Sequence, residues 1–157
     1  MSDKVTIAKP PFIISLLGYG GAIPFLGLAT CIYFNVALPV ISPIEGLLTY
    51  GAVILSFVGA LHWGGVMAQH EQVTPRLASL LYGWSVMPAL IAWGALLMPD
   101  RIGATVMALC FVACWRIDMK VISSGLWPAW MARLRLHLTS CAVASLAVIV
   151  LLPYEVA

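Results

Sequence analysis

The chain is 157 residues long, 62% hydrophobic and 9% charged, with a formal net charge of +2. Soluble domains carry about 25% charged residues, so this chain lacks the polar surface to cover itself in water. Its basic residues are few and scattered, which points away from nucleic acid, and no hydrophilic run is long enough for a second domain.

Five apolar stretches fill the chain, at about 11–34, 43–68, 75–97, 101–122 and 128–152. A hydrocarbon core near 30 Å takes about 20 residues of helix, and each stretch supplies them. None alternates at period two, which argues against a barrel. The expectation is all-α: an integral membrane bundle of five transmembrane helices forming a single domain over residues 1–157.

Pro10-Pro11 opens the first stretch, and Pro24 inside it predicts a kink, because proline removes one backbone hydrogen bond. Leu28-Ala29-Thr30-Cys31 has some likeness to a lipoprotein cleavage box. Threonine before the cysteine fits poorly and the apolar run exceeds a signal core, so the span is read as retained. The second stretch begins Ser42-Pro43-Ile44-Glu45, an N-cap serine, a proline at the first helical position and a glutamate to close a capping box. Along it Ser56, Ala60 and Gly64 recur every four residues, a small-residue face suited to close helix approach. His62 lies in the same span, about 9 Å by helical rise from the end near Gln69. Gly59 and Gly65 share its face and clear room for a neighbour or a ligand.

Thr74-Pro75 repeats the cap-then-proline pattern for the third stretch, which carries Pro88 in its interior. Asp100 is placed to cap the fourth, where its charge suits the positive end of the helix dipole. In that span Arg116 and Lys120 share one face and reach toward lipid phosphates, while Asp118 shares a face with Cys114 and Trp115 and points inward. Trp127-Pro128 opens the fifth span or a short interfacial turn before it. There Arg135 shares a face with Thr139, and His137 with Arg133 and Cys141. The four cysteines all fall within or at the end of a span and lack metal or redox spacing, so they read as free thiols.

Lysine and arginine set the orientation. Lys4, Lys9, Arg76, Arg116, Lys120, Arg133 and Arg135 fall on one side and Arg101 alone on the other. The N-terminus is therefore expected to be cytoplasmic and the C-terminus outside, in a multi-pass protein of the bacterial inner membrane.

Ionisable groups inside a membrane are costly and so mark candidate sites. An Asp118–Arg135 ion pair between the fourth and fifth spans, with His62 near it, is the most economical arrangement. The expected pocket comprises His62, Trp63, Asp118, Trp130, Arg135 and Thr139, sized for a quinone, a lipid head group or another amphiphile. The structural alternative is an ion pair that locks the bundle and a histidine bonded to a carbonyl. No nucleophile elbow, phosphate loop or paired carboxylates appear, and two histidines without a supporting motif do not make a haem or metal site. Five spans also fail to divide into the inverted repeats of a transporter.

Several stretches carry a resemblance. They are Gly21-Ala22-Ile23-Pro24-Phe25, Tyr50 to Phe57 running into Gly59-Ala60-Leu61-His62-Trp63-Gly64, Tyr82 to Pro88, Ala92-Trp93, Asp118, Trp127-Pro128-Ala129-Trp130, Leu134-Arg135 and Leu138-Thr139. In these the chain resembles the transmembrane protein 69-like family, a mitochondrial and proteobacterial membrane family of unknown function. It departs at Trp127 and Met131, where the family pattern has leucine and tyrosine. The resemblance implies an integral membrane protein without an assigned activity and singles out His62-Trp63, Asp118, Trp130 and Arg135. Size and span count also match the tryptophan-rich translocator-type sensors, whose proline-rich tryptophan motif is missing here.

Two function classes follow. One is a non-catalytic bundle, either binding an amphiphile or serving as an accessory or assembly component of a membrane complex, as a homo-oligomer or with other subunits. The other is a membrane enzyme or proton-coupled carrier that moves protons on His62 and Asp118. The residues name no cofactor.

Overall fold

The structure, a computed structural model, describes residues 10–152. It is all-helical among those residues, with five helical rods long and apolar enough to cross a membrane. The first rod, Phe12–Tyr33, is two segments, α1 (Phe12–Gly20) and α2 (Ala22–Tyr33), joined at Gly21. Pro24 is the cause. It has no N–H for the carbonyl of Gly20, four residues back, and its ring crowds that carbonyl. The Tyr50 hydroxyl covers the joint by donating to the Gly21 carbonyl at 2.8 Å. The other rods are α3 (Pro43–Ala68), α4 (Pro75–Leu96), α5 (Asp100–Ser123) and α6 (Trp130–Leu151). Helix α4 runs through Pro88 without interruption.

The helix ends follow local chemistry, with two corrections. Thr74 caps α4 as expected, its hydroxyl accepting from Leu77 N–H at 3.4 Å. Ser42 holds the N-cap position of α3 with Pro43 behind it, but its side chain makes no capping bond, so the capping box is not formed. Asp100 is the first residue inside α5 rather than its cap, which is Pro99. Its charge still lies in the first turn, where the dipole favours it. Trp127-Pro128 forms a turn ahead of α6, which starts at Trp130. Two helices end in a left-handed residue, Asn35 after α2 (φ 53°) and Gly125 after α5 (φ 80°), the conformation that turns a chain out of a helix.

The rods form a ring in the order α2, α3, α4, α5, α6 and back to α2, with α3 also packed on α5 and α6 across the middle. Helix α1 touches only α2 and α6. The interior has three layers. The larger apolar core includes Phe25, Leu47, Leu55, Met107, Phe111 and Leu146. A smaller one, Val66, Leu81, Val121 and Trp127, lies toward the loops at 69–74 and 124–129. Between them is a polar layer. In α3 the sequence from Val58 through His62 to Val66 passes from one core to the other, and in α5 Cys114, Asp118 and Val121 do the same.

The α3–α4 seam closes on Gly59. A Cβ there would stand 2.5 Å from the Ser85 carbonyl oxygen, so only glycine fits. The expected small-residue face of Ser56, Ala60 and Gly64 is not what α4 packs on. Gly64 has open space around its Cβ position, and Ala60 faces outward.

Candidate functional site

Three helices place one ionisable residue each at matching depth. His62 is six residues from the end of α3, Asp118 five from the end of α5, and Arg135 five from the start of α6. At 1.5 Å per residue that puts all three about 8–9 Å inside the same end of the bundle. Their exposures are 1%, 1% and 6%. Arg135 donates from Nε to Asp118 Oδ2 at 2.5 Å. The second carboxylate oxygen lies 3.3 Å from His62 Nε2, but the ring is not aligned for a hydrogen bond and Oδ1 is left without one.

Asp118 is therefore shared between two partners rather than gripped by both arms of the guanidinium. The layer is left with unspent hydrogen-bonding capacity. His62 Nδ1, Arg135 Nη2 and, one turn deeper, Thr139 Oγ1 have no hydrogen-bond partner, while the unbonded indole nitrogens of Trp84, Trp115 and Trp130 lie at other depths. Buried polar groups are almost always bonded, so unbonded atoms on His62, Asp118 and Arg135 together mark this layer as a candidate site.

Two cavities meet this layer. One, about 120 Å³, runs between the first span and helices α3 and α6, and Arg135 supplies its single charged wall. The rest of its lining is apolar or glycine: Leu17, Gly18, Gly21, Ala22 and Phe25 on one side, Ile54, Phe57, Val58, Leu138 and Ala142 on the other. It extends from the depth of Arg135 toward the middle of the bundle. The other is a void of about 10 Å³ lined by His62, Gly65, Val73, Leu126 and Trp127 among others. That is the space about one water needs.

The structure brings His62, Asp118 and Arg135 together. Thr139 is one turn along α6 from Arg135, buried but outside the lining of either cavity. Trp130 is half-buried at the start of α6 and also lines neither. Trp63 does not join the layer: it is 48% exposed and stacks edge-on against Tyr82, ring centres 5.0 Å apart. Its neighbour in sequence explains why. With His62 turned inward, a side chain one residue on is rotated about 100° around the helix and faces out.

The tryptophan against His62 is Trp127, its ring centre 4.9 Å away. A Cβ on Gly65 would be 2.7 Å from Trp127 Nε1, so that glycine makes room for the indole, not for a ligand. The Gln69 side-chain amide donates to the Leu126 carbonyl and ties the two loops over this indole. The first-span lining of the larger cavity was also missed from sequence. Nothing local in its sequence says which helix Gly18 and Gly21 face.

A family profile described as a protein of unknown function (DUF3429) matches residues 10–151. The chain belongs to this family. Among its relatives is transmembrane protein 69 of Xenopus tropicalis, 33% identical over 138 residues, covering 83% of this chain and 50% of the relative. Transmembrane protein 69 of Mus musculus is 26% identical over 145 residues, covering 92% of this chain and 56% of the relative. The chain thus spans about half the length of these curated relatives. No solved structure matches it. The DUF3429 assignment agrees with the resemblance drawn from the motifs, and with five apolar rods it makes the chain a membrane protein of a family without an assigned activity.

Proposed function

We propose that this protein is a non-catalytic membrane bundle that binds an amphiphile, its polar head at Arg135 and its tail in the cavity under the first span. One observation carries the reading: a buried guanidinium with an unspent Nη2 forms the sole charged wall of an otherwise apolar cavity. A buried donor without a partner is expensive, and an acceptor arriving with an apolar chain relieves both the unpaired group and the empty space. Placement in a bacterial inner membrane as one domain, with the N-terminus cytoplasmic, belongs to the same proposal. Its support is the charge distribution: Arg76, Arg116, Lys120, Arg133 and Arg135 lie toward one end and Arg101 at the other. Lys4 and Lys9 of the expected basic side lie outside the described residues.

Native mass spectrometry of protein extracted gently from its own membrane tests the proposal. The expected result is a discrete small molecule on the wild type and on Trp63→Ala, lost on Arg135→Ala. Arg135→Lys, which keeps the charge but not the fork, should hold it weakly. A ligand-free wild type that co-purifies with other subunits would move the assignment to an accessory component of a membrane complex.

A further inference from the structure

Counting charge in the polar layer narrows the ligand. Asp118 and Arg135 are its one carboxylate and its one permanent cation. Helix α4 faces it with Leu81, Ser85 and Pro88, and α2 brings no charged residue. From α5 comes Cys114 beside Asp118, and Arg116, Lys120 and Arg133 all face outward. With His62 neutral the layer sums to zero. A head group that accepts from Arg135 is best served by a charge-assisted bond to the guanidinium, which favours an anion. A buried anion would leave the layer one negative charge in excess, at a depth where uncompensated charge is strongly disfavoured.

His62 is the group able to restore balance. Protonated, it carries a donor on each nitrogen: Nε2 already lies 3.3 Å from Asp118 Oδ1, and Nδ1 has no protein partner. The void it lines has room for about one water and reaches the loop residues Val73 and Leu126.

Size narrows the ligand further. A water takes about 10–15 Å³ on the scale that gives the larger cavity about 120 Å³, so this cavity admits on the order of ten heavy atoms. That suits a small anionic head and the first carbons of one chain. We propose that the ligand is a single-chain monoanionic amphiphile, in chemical class a long-chain carboxylate, and that each anion binds together with one proton taken up by His62. The inference rests on the amphiphile reading above and goes beyond it in naming charge and linkage.

Calorimetric titration of the purified protein in nanodiscs, in two buffers of different ionisation enthalpy, counts the protons. Dodecanesulfonate is the probe, since it stays anionic throughout and any proton counted belongs to the protein. The wild type should take up about one proton per ligand wherever His62 is neutral before binding, with affinity falling by up to about tenfold per pH unit over that range. His62→Gln should bind more weakly, without proton uptake and without that pH dependence. Dodecanol on the wild type should bind with no proton uptake, a comparison that stands even if His62→Gln does not fold. A proton number near zero, or sulfonate and alcohol binding alike, would overturn the inference. Saturable, Arg135-dependent binding of a short-chain quinone in place of sulfonate would overturn it too while leaving the amphiphile reading intact. No saturable binding of any probe would sink both.

Discussion

At the residue scale, two glycines on one helix have opposite roles. Gly59 lets α3 and α4 close: an added Cβ would meet a backbone carbonyl, which cannot swing aside as a side-chain tip can. Gly64, five residues on, faces open space. Gly59→Ala should therefore destabilise the protein by about 1–3 kcal/mol, the usual cost of overpacking, and Gly64→Ala should stay within about 0.5 kcal/mol of wild type. Thermal unfolding in detergent separates the two, and equal melting temperatures would show that α4 does not seat where described. Gly65 belongs to a third kind. Its missing Cβ admits an indole, and Gly65→Ala should push Trp127 off His62, visible as a change in tryptophan emission with the fold retained.

At the element scale, the α5–α6 hairpin is joined by the buried Asp118–Arg135 pair. Removing one partner of a buried pair leaves a naked charge and typically costs about 3–5 kcal/mol, whereas replacing both with apolar groups is often close to neutral. Asp118→Asn and Arg135→Leu should each destabilise strongly, and the double variant should be more stable than either single. A double-mutant cycle on unfolding free energies checks this. Strict additivity would mean the pair does not hold the hairpin.

Much of this scale was legible in the sequence. Span limits came within about two residues because bilayer thickness, proline and turn residues act locally. Burial of Asp118 and Arg135 was legible because charge inside a membrane has few places to go. The choice of Trp127 over Trp63 was not, since it depends on how the 124–129 turn folds back over α3. The capping box failed for a related reason: residue types at the right spacing do not fix the rotamers that would close it.

At the scale of the whole molecule, orientation has a direct test. Single cysteines placed at Val40 and Ser124 lie in loops at opposite ends. If the basic end is cytoplasmic, a membrane-impermeant maleimide should label Val40→Cys in intact cells, and Ser124→Cys only after the membrane is opened. The reverse pattern would invert the topology. The order of the ring has a further consequence, for biosynthesis. The first span precedes α6 by the whole length of the bundle, yet the two are neighbours, so the ring and the cavity it encloses cannot close until α6 has been made. Arg135 also emerges late, but Asp118 precedes it by only 17 residues on the adjacent helix. An arginine that would resist insertion alone thus reaches the bilayer beside its counter-ion. In an insertion assay α6 should enter membranes poorly by itself and efficiently behind α5, an advantage that Asp118→Asn should abolish.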